Sequence, residues 1–106
     1  MKKKILFIFC FTLASIGFSQ TKSLEELSAT PNPFTTQTNI SFSAKQNSII
    51  TLTIKNILGK VVYKKEHKTK IGKNNILFSK NNLPKGIYIY SIRDTKKMIS
   101  KRFIIK

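Results

Sequence analysis

Apolar and polar residues alternate one by one in the clearest runs of this chain, and beyond its N-terminal region nothing repeats with the spacing of a helix. Ile40, Phe42 and Ala44 alternate with Ser41 and Ser43. Ile50, Leu52 and Ile54 alternate with Thr51, Thr53 and Lys55 in a run rich in β-branched residues. An extended backbone sends successive side chains to opposite faces, so a period of two predicts strands that bury one face. Ile87 to Ile92 is apolar and aromatic except for Ser91, with Tyr88, Tyr90 and Ile92 on one face and Ile87 and Ile89 on the other. Val61 to Lys65 and Met98 to Ile105 read as further strands, Ile76 to Phe78 as a short one, and Leu24 to Thr30 as a lead-in able to form a first strand.

Between these runs stand residues that turn a chain: Gln46-Asn47-Ser48, Gly59, Gly72 to Asn75, Asn81 to Gly86 and Asp94-Thr95-Lys96. In Pro31-Asn32-Pro33-Phe34 each proline fixes its own φ and drives the residue before it, Thr30 or Asn32, into extended geometry. That tetrapeptide is expected to be a stiff turn from which Phe34 plugs the core. Six or seven short strands so joined predict an all-β fold, an antiparallel β-sandwich, with an open barrel as the alternative. Its expected core is Ile40, Phe42, Ile50, Leu52, Ile54, Tyr88, Tyr90 and Ile92.

Met1-Lys2-Lys3-Lys4, followed by an apolar stretch from Ile5 to Phe18, has the charged head and greasy body of a cleavable secretory signal peptide. The stretch falls short of the roughly 20 apolar residues that a membrane-spanning helix needs. Small residues Gly17 and Ser19 place cleavage after Ser19, with an uncleaved anchor as the alternative. The expected organisation is a signal peptide at 1–19, a short linker at 20–23 and one β-domain at 24–106, with no room for a separate cargo or catalytic domain. Cys10, the single cysteine, lies inside the apolar stretch, so the mature chain is expected to fold without a disulfide and without a lipid anchor. A location outside the cytoplasm is expected, with no transmembrane segment in the mature chain.

The sequence has 20 Lys plus Arg against 4 Asp plus Glu. Without Lys2, Lys3 and Lys4 the counts are 17 against 4, a net charge of +13. Such a charge attracts polyanions, and lysines also keep exposed strand edges from pairing with other chains. Nucleic acid is not an expected partner, because most aromatic residues fall at alternating strand positions that a small core requires. Catalysis has little to work with. His67, the only histidine, lies between Glu66 and Lys68 and is expected to face solvent, and Glu25 and Glu26 are adjacent, hence on opposite faces of an extended chain. No phosphate loop is present, and no cofactor or metal is expected.

Four segments together carry a resemblance: Pro31-Asn32-Pro33-Phe34, Ile54-Lys55-Asn56-Ile57-Leu58-Gly59-Lys60-Val61-Val62, Leu83-Pro84-Lys85-Gly86-Ile87-Tyr88, and Lys101-Arg102-Phe103-Ile104-Ile105-Lys106. In order, spacing and position they resemble the type A C-terminal sorting domain of the type IX secretion system, over about residues 24 to 106. Thr30 stands where that family often has an aromatic residue. The resemblance implies an immunoglobulin-like sandwich that is carried to the periplasm and recognised by an outer-membrane translocon, for a secreted or cell-surface location. With so little for catalysis to work with, the chain is not expected to be an enzyme. It implies as further partners a cell-surface sortase that removes the domain, and anionic lipopolysaccharide to which cargo is attached. The motif positions it points to are Pro31, Asn32, Pro33, Phe34, Gly59, Gly86, Tyr88, Lys101, Arg102 and Lys106. Gly59, Gly86 and Tyr88 are expected to be structural, as turn formers and a core aromatic, and an exposed tail from Lys101 to Lys106 is the expected translocon contact. The alternative function is a small cationic secreted protein that binds anionic cell-surface polysaccharide or lipopolysaccharide.

Overall fold

The computed structural model describes residues 23–106; the expected signal peptide and cleavage point, Cys10 and most of the expected linker fall on residues outside those described. Seven strands follow in order: β1 (Leu24–Thr30), β2 (Gln37–Ala44), β3 (Ile49–Asn56), β4 (Val61–Lys68), β5 (Gly72–Ser79), β6 (Gly86–Arg93) and β7 (Met98–Ile105). They form a three-stranded sheet, β1-β2-β5, and a four-stranded sheet, β4-β3-β6-β7. Every neighbouring pair is antiparallel. The chain passes between sheets after β2, β4 and β5, which gives an immunoglobulin-like β-sandwich rather than an open barrel.

The period of two decides which side chains meet between the sheets. None of the eight expected core residues is more than 3% exposed. Leu24, Leu27, Phe34, Ala44, Phe78, Phe103 and Ile105 join them. Each large apolar side chain buried this way contributes about 1.5–3 kcal/mol relative to leaving it in water. β1 takes part through a bulge between Glu25 and Ser28, with Glu26 at φ 61° and its Oε1 accepting from Ser43 Oγ at 2.9 Å.

Two strands are longer than their sequence implies. Gly72 to Asn75, expected as a turn, belong to β5 and pair with Ala44 to Ser41 of β2. The turn lies earlier, at Thr69, Lys70 and Ile71. Asn74 points inward at 8% exposure, where its Oδ1 accepts from Lys70 N–H at 3.0 Å and its Nδ2 donates to the carbonyls of Lys70 and Gly72 at 2.9 and 3.0 Å. A residue chosen for turns here satisfies the turn from inside the strand. β4 likewise runs on to Lys68, where Lys64, Lys65 and Lys68 keep an outer edge exposed to water.

Because each strand reverses the chain, β1, β3, β5 and β7 all run toward one pole of the sandwich. That pole gathers the β1–β2, β3–β4 and β5–β6 connections with the end of β7. The opposite pole gathers the β2–β3, β4–β5 and β6–β7 connections with the start of β1.

Candidate functional site

The Pro31–Phe34 segment lies along the free edge of β7. Phe34 forms an isolated parallel bridge with Ile105: its N–H donates to Ile104 O at 3.0 Å, and its carbonyl accepts from Lys106 N–H at 2.9 Å. Asn32 extends the contact through its side chain, donating from Nδ2 to Arg102 O at 3.2 Å and accepting Ile104 N–H on Oδ1 at 2.9 Å. An amide group offers a strand edge the same donor and acceptor that a backbone does. Pro31 and Pro33 are exposed, and since the bonds to β7 come from Asn32 and Phe34, neither missing N–H costs the edge a partner. The Pro31 carbonyl accepts from the buried Thr38 Oγ1 at 2.7 Å, which ties the segment to β2.

Phe34 is the plug expected of it, 2% exposed. Its ring meets Phe103 edge-on, with centroids 5.0 Å apart at 80°. Phe103 in turn lies 5.8 Å from Phe78, 6.0 Å from Tyr88 and 5.1 Å from Tyr90. The C-terminal segment is therefore not the exposed tail that the sequence led us to expect. It is half core: alternation buries Phe103 and Ile105 and leaves Arg102, Ile104 and Lys106 exposed, while Lys101, on the same face as Phe103, is nevertheless exposed.

Asn56 organises the β3–β4 hairpin. Its Oδ1 accepts from the N–H groups of Leu58 and Lys60, both at 3.0 Å, and its carbonyl accepts from Gly59 N–H at 2.9 Å. Gly59 sits at φ 91°, the left-handed position that closes a three-residue hairpin loop with a bulge, and farther along the hairpin the register shifts between Ile54 and Lys55. At the β5–β6 connection Tyr88 Oη donates to Pro84 O, four residues back, at 2.6 Å. This is the tyrosine corner of immunoglobulin-like sandwiches, found at the start of the equivalent strand. Gly86 has φ 154°, and the atom nearest to where a Cβ would stand is Cε1 of the Tyr88 ring, at 4.0 Å.

A family model described as a secretion system C-terminal sorting domain matches residues 28–106. The chain belongs to the type IX secretion C-terminal sorting domain family. No curated protein matches it. The sorting domain has a type IX secretion role, engages that machinery, and directs secretion to the cell surface or extracellular space. Its family is one of sorting signals, not of enzymes. Among the described residues no helix is long and apolar enough to cross a membrane.

The structure brings Pro31 to Phe34, Gly59, Gly86, Tyr88, Arg102 and Lys106 to one pole or within a few residues of it. Lys101 stands apart, midway along β7 opposite Tyr90. Sequence reasoning missed Ile57 and Leu58, 69% and 89% exposed at the hairpin tip. The signal was available: two adjacent apolar residues occupy a turn that soluble proteins fill with polar ones. They border a groove of about 230 Å³ lined also by Val62, Leu83, Pro84 and Ile87, and beside it a second groove of about 250 Å³ runs between Tyr63, Phe78 and Asn82. His67 also departs from expectation. It is partly buried, its Nε2 is shielded from solvent and has no hydrogen-bond partner among the described residues, and burial, then the nearby Lys65 charge, hold its pKa below the ordinary value.

Proposed function

We propose that residues 24–106 are the signal that the type IX outer-membrane translocon reads, and that the reading surface is the pole described above. The observation that carries this proposal is convergence: four sequence segments spread over 76 residues, Pro31 to Lys106, end at the same pole or lie against it. Hydrogen bonds between Pro31–Phe34 and β7 fuse the first and last of them into one surface. A rigid surface loses little freedom on binding, which favours its use as a signal. Arg102, Lys106 and the exposed prolines are the proposed contacts, while Phe34, Gly59, Gly86 and Tyr88 hold the surface in shape.

The test inserts a periplasmic reporter between Thr21 and Lys22 of the full chain, in a host with a type IX system. Surface display of the reporter is expected, together with its loss in the same host lacking the translocon. Deleting Lys101 to Lys106 cannot distinguish reading from folding, because it removes Phe103 and Ile105 and, with them, several kcal/mol of packing. Arg102→Glu with Lys106→Glu spares both core residues and is expected to lower display in a folded protein. A reporter that stays in the periplasm would overturn the proposal.

One observation favours a second reading, polyanion binding. Residues alternating with the core bring Lys55, Lys64, Lys68, Arg93 and Arg102 to the outer face of the four-stranded sheet against a single acid, Glu66. The outer face of the three-stranded sheet has Lys73 against Glu25 and Glu26. Retention of the purified protein on lipopolysaccharide at physiological salt, lost on reversing Lys64 and Arg93, would favour this reading.

A further inference from the structure

Acidic side chains are segregated along the sandwich. Glu25 and Glu26 open β1, Asp94 begins the β6–β7 connection, and Glu66 lies two residues before the end of β4, so all four belong to the half remote from the motif pole. One of them pairs with a lysine there, Lys45 Nζ to Glu25 Oε2 at 3.6 Å. The motif pole has Lys60, Lys80, Lys85 and Lys106 on its loops and chain end, with no acidic side chain among them. Two apolar grooves run side by side at this pole, sharing Val62 and Leu83 as walls; Lys80 lines one, and Lys85 lines the other together with the exposed Ile57 and Leu58. A soluble domain seldom leaves a leucine 89% exposed beside an open apolar groove without a partner to cover it.

Resting on the sorting reading above, we infer that these grooves dock a protein segment that is both acidic and apolar. Its apolar side chains would enter between the β3–β4 hairpin tip and the Leu83–Gly86 loop, and its carboxylates would meet Lys60 and Lys85. Charge complementarity selects this occupant. A neutral apolar segment would leave the lysines beside the grooves unmatched, and a basic one would be repelled by them. Apolar anchors surrounded by charges that steer the encounter are the usual anatomy of such contacts. This assigns a binding role to Ile57, Leu58, Lys60 and Lys85, none of which the core or the turns require: all four are exposed.

The experiment uses the same reporter insertion in the full chain. Lys60→Glu with Lys85→Glu is compared with Lys70→Glu with Lys96→Glu, an equal change of charge at the opposite pole, and with Leu58→Ser. Surface display is expected to fall about tenfold or more in the first pair and in Leu58→Ser, and to stay within about twofold of the parent in the control pair. A photo-cross-linking residue at position 58 is expected to capture a segment in which acidic and apolar residues dominate. Equal losses in both lysine pairs would reduce the effect to overall charge and overturn the inference. So would undiminished display in the first pair or in Leu58→Ser, a cross-link to a basic segment, to lipid or to a second copy of this chain, or no cross-link from a displayed protein. If the unmodified insertion never reaches the surface, the sorting reading itself fails, which separates the two outcomes.

Discussion

Asn32→Ala tests whether the Pro31–Phe34 segment and β7 form one unit. The substitution removes both bonds from the Asn32 amide to the β7 edge, one to Arg102 O and one from Ile104 N–H. A hydrogen bond contributes about 0.5–1.5 kcal/mol net, and Asn32 is exposed, so water replaces part of what is lost. The low end of the range applies, about 1 kcal/mol for the pair. In a domain of this size that lowers Tm by about 4–8 °C. The local effect is more telling than the global one. Ile104 N–H loses its only partner among the described residues, and its amide exchange with solvent should quicken about fivefold, while amides of β3 follow global stability alone. Asn32→Asp separates the two bonds: at neutral pH the carboxylate still accepts from Ile104 N–H but sets a second acceptor against Arg102 O. Ile104 should stay protected in that variant although Tm falls. If Asn32→Ala leaves both Tm and Ile104 exchange unchanged, the amide is not holding β7.

Tyr88→Phe keeps the ring against Phe103 and removes only the 2.6 Å bond to Pro84 O, so urea unfolding should show a loss of about 1–2 kcal/mol, and no change would mean the corner is not closed by that hydroxyl. Gly86→Val should cost about 1–3 kcal/mol through backbone strain at φ 154°, not through a clash, since only the Tyr88 ring comes as near as 4.0 Å; an unchanged thermal melt would refute the turn geometry. His67 is neutral more readily in the folded chain than its unfolded reference value of 6.5 allows, so its contribution to stability is complete above that value and is lost as pH falls below it. Melting of the wild type should weaken between about pH 7 and pH 5 more steeply than melting of His67→Gln, and parallel curves would show that the ring titrates freely in the folded state.

The sandwich was legible because strand burial is a local property of alternation: every residue of the expected core occupies a parity position that any pairing of those strands would bury. What the sequence could not supply was where polar side chains find partners. Gly72 to Asn75 reads as a turn because the preference of Asn for turns is counted without knowing that Asn74 bonds back to Lys70 and Gly72. His67 reads as exposed because its neighbours in sequence are charged, whereas its burial depends on Ile50 across the ladder. For the candidate site the residues were legible one segment at a time. Their meeting was not, since Asn32 and Ile104 are separated by 72 positions and only the strand order joins them.

That joining bears on what kind of signal the pole can be. A linear tail would be read wherever it was attached and whether or not the rest of the chain had folded. Here Phe103 and Ile105 are core residues, and the backbone beside them is bonded to a segment from the other end of the domain. The exposed side chains of β7 acquire fixed positions only after β1, β2 and β6 are in place. A receptor that binds them together with Pro31 and Pro33 would accordingly discriminate folded from unfolded chains, because the unfolded chain would have to lose the entropy of closing a loop of about 70 residues before both halves could be contacted at once. Unfolding the domain by Phe103→Ala, with every exposed side chain of the pole retained, should therefore abolish display as completely as deleting the segment. Display that survives it would mean the tail is read as sequence, and the folded surface of the pole would be irrelevant to sorting.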